Sequence, residues 1–174
     1  VHVTGAIVGA TEFAEDAVFC QWELVPSESA WTVVAGDAEG QTQAAEEDGM
    51  PTADWSHPID VHFATPTIKG WPQLKMVIWR QDAHGRNEPC GYGSIRLPMR
   101  PGSHVREVAC WRPKGTLMEE IAAFFRGCLV SFDDPAAAMD SSTDRSTLET
   151  MTTGTIMVEL NIVVRGMGET GAEF

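Results

Sequence analysis

The first 68 residues contain no lysine and no arginine, although they carry twelve aspartates and glutamates. Residues 69–174 are nearly balanced, with thirteen acidic and twelve basic residues, so the acidic half sets the net charge of −13. Nucleic-acid binding and adsorption to anionic lipid are disfavoured, because both need clustered lysine and arginine. The imbalance indicates either a solvated surface that aids solubility or a partner with a basic face.

Other absences narrow the class of protein further. There is no run of about 20 apolar residues of the kind that a membrane span needs, no N-x-S/T sequon and no CxxC pair. The four widely spaced cysteines, Cys20, Cys90, Cys110 and Cys128, therefore favour reduced thiols of an intracellular protein over a zinc ribbon, while two disulfides stay possible in principle. The chain also lacks a nucleophile elbow, a P-loop and a dinucleotide-binding fingerprint.

Alternating apolar residues predict an antiparallel β-sandwich of about eight strands. The second and third strands follow one another closely and are expected to form a hairpin. A T-x-x-E capping box from Thr116 to Glu119 predicts one inserted helix over Leu117 to Cys128. We expect a single domain over 1–166 and a flexible tail over 167–174. The predicted strands are 1–10, 18–25, 30–36, 55–65, 73–80, 91–98, 104–111 and 155–165, with a further short strand near Gln41–Gln43.

The stretch WSHPIDVHFAT (55–65) is a candidate metal or acid–base site, because His57 and His62 flank Asp60. Strand periodicity favours a different interpretation. Successive side chains of a strand point to opposite faces, so His57 and His62 lie on opposite faces and cannot hold one ion. This register turns Ile59, Val61 and Phe63 inward and turns Asp60 and His62 outward. We expect Pro58 to fit only the start of the strand, since proline has no N–H for the ladder.

The segment IWRQDAHGRNEPCGYG (78–93) resembles the loop of a C2-type calcium- and phospholipid-binding sandwich. In that pattern Arg80 replaces the first expected aspartate, Asp82 matches the second, and Asn87 and Glu88 lie near the third. Calcium needs six to eight oxygen ligands, which several carboxylates usually supply. We therefore expect no bound metal, with Asp82 as the one residual candidate ligand.

Two further groups of residues are candidates for an interface. One is the acidic loop, residues 36–54, in which Glu46, Glu47 and Asp48 are consecutive. The other is a set of residues at strand edges, Trp55, Trp71, Trp111 and Arg112, because exposed tryptophan and arginine are enriched at protein interfaces. The loop-anchor interpretation of these tryptophans stands beside this one. Trp22 and Trp31 are expected to lie in the core, and Trp79 on the strand face opposite Met76 and Ile78.

Several segments in the same order resemble the B9-domain proteins. They are GAIVGA, FCQW, WSHPIDVHFAT, GWPQL, WRQDAHGR, GYG, CWRP and TIMVELNIVVR. The resemblance spans nearly the whole chain and is weakest at 36–54 and 133–150. WSHPID followed by HFAT and GWP is the most specific part, since no general packing rule demands that string.

The resemblance implies a C2-like fold without catalytic activity or cofactor. It implies a place in the cytoplasm and cytoskeleton, at the transition zone and basal body of the cilium. Its implied partners are other B9-domain proteins, subunits of the Meckel syndrome or tectonic-like complex, and gamma-tubulin, close to a membrane. The implied function is support of cilium assembly and control of membrane-protein entry. Two alternatives stay open: a C2-like module that binds lipid or calcium, and a hydrolase that uses His57, Asp60 or His62.

Overall fold

The chain forms nine β-strands in a computed structural model that describes residues 1–13, 17–45, 52–81, 85–114 and 149–166. Every strand pairing is antiparallel, which confirms the predicted fold class. The short strand expected near Gln41 is also present, two residues earlier than predicted. The strands are β1 His2–Thr11, β2 Ala17–Val25, β3 Thr32–Gly36, β4 Glu39–Gln41, β5 Thr52–Ala64, β6 Gln73–Gln81, β7 Asn87–Arg96, β8 Gly102–Pro113 and β9 Thr150–Val163.

The strands follow the order β3-β5-β1-β9-β8-β7-β6-β2-β4 in one curled sheet. The sheet folds into two layers where β7 meets β8, because these two strands are paired only at Tyr92 and Trp111. The layers are β3-β5-β1-β9-β8 and β7-β6-β2-β4. The two edge strands, β3 and β4, are joined by only residues 37–38, so the edges of the sheet must come close together. The result is a sandwich closed at one side by this short link.

The core lies between the two layers and follows the predicted alternation. In β9, Ile156, Val158, Leu160 and Ile162 are buried, whereas the residues between them are exposed. A second apolar cluster lies on the other face of β6 and β7, where buried Val77 and Tyr92 pack with Trp79 and Trp111. Strand β6 therefore buries side chains on both faces. Trp79 lies on the face opposite Met76 and Ile78, as predicted, and its ring stacks on Phe19 with 6.4 Å between ring centroids.

The predicted hairpin of β2 and β3 is wrong. Strand β2 pairs with β6 and β4, whereas β3 pairs with β5 in the opposite layer. The connection between β2 and β3 is an arch from one layer to the other. Trp31 fixes this arch, because its buried ring packs edge-on against Phe63 and Trp71 and its Nε1 donates to the Lys69 carbonyl at 2.7 Å. A short polar turn between apolar strands suits a hairpin and an arch equally, so the local sequence could not separate them.

The expectation that Pro58 begins a strand is also wrong, since it lies inside β5 opposite Ala6. N–H groups alternate sides along an antiparallel strand. The Phe63 N–H donates to the Val1 carbonyl at 2.8 Å, so odd-numbered residues of this part of β5 face β1. The nitrogen of Pro58 faces the other side, beyond Gly36, where β3 has already ended. No ladder hydrogen bond is lost there.

Other expectations fall outside the described residues. These include the helix over Leu117 to Cys128, the residues Glu46, Glu47, Asp48 and Asp82, the thiol of Cys128 and the tail 167–174. Within the described ranges there is no helix with the length and apolar character that a membrane span requires.

Candidate interaction site

The WSHPIDVHFAT stretch has the predicted register. Ile59, Val61 and Phe63 are buried, and Asp60 and His62 are exposed. His57 packs against Trp22, with 5.9 Å between ring centroids. His62 lies on the other face and packs beside the His2 ring, with 5.4 Å between ring centroids. The two histidines are thus kept apart, and no group of three potential metal ligands occurs among the described residues.

The described part of the calcium-like loop contains an ion pair. The Arg80 guanidinium donates to the Glu88 carboxylate at 2.9 Å, and the two side chains are only 23% and 12% exposed. Glu88 therefore neutralises the charge of Arg80, and its carboxylate is already engaged in this ion pair. The absence of a bound metal stays a prediction for this loop, since Asp82 lies outside the described residues.

The tryptophan candidates for an interface divide into two groups. Trp55 and Trp71 are buried in the core, and Trp55 Nε1 donates to the Val18 carbonyl at 3.2 Å across the sandwich. This burial corrects the expectation for both residues, since they stabilise the interior and form no part of the surface. Trp111 and Arg112 are half-buried in β8, and Trp111 packs on Tyr92. Of the four strand-edge candidates, these two remain accessible.

A groove lies at the closed side of the sandwich, where the link between β3 and β4 passes β5. This seam groove has a volume of about 630 Å³, and its lining includes Trp22, Asp37, Glu39, Gly40, His57 and Asp60. Both layers contribute to the groove. Trp22 belongs to β2 and Glu39 to β4, whereas His57 and Asp60 belong to β5 in the other layer. Its side chains converge only because the sheet curls.

The seam groove is acidic and contains a donor without an acceptor. Asp37, Glu39 and Asp60 are exposed, and the described lining of the groove contains no lysine or arginine. Asp60 Oδ1 pairs with His2 Nε2 at 2.6 Å, so His2 also orients this carboxylate. Trp22 is 4% exposed, and its Nε1 has no hydrogen-bond partner among the described residues. The sequence pattern alone does not reveal this groove, although the absence of lysine and arginine from residues 1–68 indicates its negative charge.

Three buried thiols lie near one another in the core, and two of them have raised pKa values. Burial, reinforced by the nearby thiol of Cys90, raises the pKa of Cys110 to about 12. Burial and the neighbouring Cys110 likewise raise the pKa of Cys20 well above its ordinary value. Cys20, Cys90 and Cys110 are all buried. Because the thiolate is the reactive form, the raised pKa values of Cys20 and Cys110 lower the reactivity of these two thiols.

Comparison with known proteins places this sandwich in a class. The family B9-C2, described as "Ciliary basal body-associated, B9 protein", matches residues 1–163. The chain belongs to this family of ciliary proteins, as the sequence resemblance implied.

The chain is also similar to individual B9-domain proteins and to one solved structure. The chain is 41% identical over 176 residues to B9 domain-containing protein 2 of Bos taurus, with 99% of this chain and 98% of that protein covered. Its identity to B9 domain-containing protein 2 of Homo sapiens is 39% at the same coverage. B9 domain-containing protein 1 of Xenopus laevis is 27% identical over 98% of this chain and 87% of that protein. Among solved structures, a C2 domain of plant Extended Synaptotagmin 1 aligns over 94% of this chain and 96% of that chain, with a TM-score of 0.47 and 11% identity.

Proposed function

We propose that this protein is a non-enzymatic interaction module of the gate at the ciliary transition zone. In this proposal it associates with other B9-domain proteins and with subunits of the Meckel syndrome or tectonic-like complex, and it supports cilium assembly and control of membrane-protein entry. The observation that carries the proposal is membership, over nearly the full chain, of a family described as associated with the ciliary basal body. No group of three potential metal ligands lies among the described residues, which is compatible with the proposal.

The charge distribution supports a partner with a basic face. The described part of the acidic loop already presents Asp37, Glu39 and Asp54 to solvent. Glu46, Glu47 and Asp48 lie outside the described residues and add three further carboxylates to the same segment. Exposed charges at the rim of an interface mainly speed association and make it sensitive to salt.

The test is reconstitution with the other B9-domain proteins of the same organism, followed by cross-linking and association kinetics over a salt series. The variant Glu46→Gln/Glu47→Gln/Asp48→Asn should associate more slowly, and its rate should depend less on salt. The sequence predicts a polar surface loop at this segment, so the folding stability of the variant should barely change. Glu107→Gln/Glu149→Gln/Glu159→Gln, which neutralises three exposed carboxylates elsewhere, is the matched control.

Two results would argue against this proposal. Failure of the unmodified chain to assemble with any B9-domain protein would remove the interaction-module function. Calcium-dependent binding to vesicles containing phosphatidylserine would favour the alternative of a membrane-binding C2-like module. If the complex forms but the rates of the acidic-loop variant match those of the unmodified chain, the loop serves solubility and the interface lies elsewhere.

A further inference from the structure

We infer that the seam groove is a docking site for an extended peptide segment that carries a lysine or arginine side chain. The inference deepens the proposed function and rests on it, since it gives the interaction module a specific surface and a partner chemistry. Two independent features of the groove point to the same ligand: uncompensated carboxylates and a buried donor that lacks an acceptor.

The exposed carboxylates of the groove favour the binding of a cationic group. Asp37 and Glu39 are exposed and have no ion-pair partner among the described residues. Within the described part of the chain, Asp60 on the facing strand pairs with His2, whose ring is charged only when protonated. Like charges that surround one concave surface repel each other, and a groove focuses their field on whatever enters it. A guanidinium or ammonium group placed among these three residues removes the repulsion.

The indole of Trp22 favours a ligand that also carries a hydrogen-bond acceptor. Its Nε1 is a donor only, and it is buried without a partner. A buried donor without an acceptor costs free energy that an incoming acceptor recovers. Ammonium and guanidinium groups supply no acceptor, whereas the carbonyl of a peptide backbone does. A peptide bearing a basic side chain supplies both groups within one residue.

The geometry of the groove wall suits an extended backbone. Trp22 lies beneath Gly40, because a Cβ added at Gly40 would be 3.0 Å from Trp22 Nε1. Because glycine has no Cβ, the indole edge that carries the unpaired donor packs directly beneath the backbone of β4. The two strands that border the groove, β3 and β4, are also the two edge strands of the sheet. Edge strands present backbone groups that an added extended segment can pair with.

The test uses the intact chain and a capped pentapeptide, Thr-Arg-Val-Arg-Thr, with Thr-Gln-Val-Gln-Thr as its uncharged counterpart. Titration is followed by the indole N–H resonances in nitrogen-15 NMR, with the Trp22 signal assigned from Trp22→Phe. The arginine peptide should shift the Trp22 resonance in a saturable manner, and added salt should weaken the effect. Asp37→Asn/Glu39→Gln should bind the peptide about tenfold more weakly, since it removes two groove charges. Glu107→Gln/Glu159→Gln, with the same change in net charge outside the groove, should bind like the unmodified chain.

Several results would overturn the inference. These are an unmoved Trp22 resonance, equal binding of the glutamine peptide, or equal weakening by the two charge variants. The Asp37→Asn/Glu39→Gln variant should also be assayed for assembly with the other B9-domain proteins. If it assembles normally and peptide binding fails, the groove inference is lost while the proposed function stands. If the unmodified chain does not assemble, the proposed function fails whatever the peptide result.

Discussion

Replacing Val61 is the most direct test of how β5 is placed in the fold. Val61 is fully buried between Ile59 and Phe63, whereas the next residue, His62, is exposed. Val61→Ala removes two buried methyl groups, worth about 0.8 kcal/mol each by transfer. The unfilled cavity adds to this cost, so we expect a loss of about 2 to 3 kcal/mol in the free energy of unfolding.

Val61→Asp should be far more damaging than Val61→Ala. It loses the same packing and also buries a carboxylate with no cationic partner, which costs several kcal/mol more. The sum approaches the total stability of about 5 to 15 kcal/mol that ordinary domains possess. We therefore expect Val61→Asp to be unfolded at 25 °C.

His62→Ala is the matched control for both substitutions. It removes an exposed ring whose described contact is with the ring of His2, so its effect should stay within about 0.5 kcal/mol. Urea denaturation followed by circular dichroism measures all three variants. Because a slip of one residue exchanges the two faces of a strand, a larger loss for His62→Ala than for Val61→Ala would show that the register is wrong.

Three further measurements test other parts of the structure. Calorimetric titration should detect no calcium binding in the micromolar range of sensor sites; heat of binding that disappears in Asp82→Asn would contradict this. Trp55→Phe should lower the free energy of unfolding by about 1 kcal/mol, since the Val18 carbonyl keeps its hydrogen bond from the Ala45 N–H; an unchanged urea midpoint would show that the bond from Trp55 is negligible. The pKa of Cys110 rises from 9.0 to about 12 on folding, so the unfolded chain loses the thiol proton at a lower pH than the folded chain. The contribution of this thiol to the free energy of unfolding is therefore complete below pH 9 and should be lost as the pH rises towards 12. Cys110→Ala should flatten that decline, and an identical decline in the variant would refute the assignment.

The sequence by itself determined the class of fold and the inward face of most strands. Period-2 alternation depends only on neighbouring side chains, so Ile156 to Ile162 and Ile59 to Phe63 could be assigned to the core before any pairing was known. The string WSHPID with HFAT and GWP also indicated the B9 family, which comparison with known proteins confirmed. The negative charge of residues 1–68 was also evident from the sequence, because the absence of lysine and arginine there can be counted without a structure.

The tertiary structure alone decided which strands pair and which side chains meet. A Pro-Ser-Glu-Ser turn is compatible with a hairpin, and only the burial of Trp31 against Phe63 and Trp71 shows that the chain crosses to the other layer. Trp55 and Trp71 sit beside polar and proline residues in the sequence, yet the curled sheet buries both. Trp22, Asp37 and Asp60 are separated by up to 38 positions and converge in one groove because residues 37–38 bring the two edges of the sheet together. Local sequence carries no record of such long-range closure, because the contacts that fix it belong to strands distant along the chain.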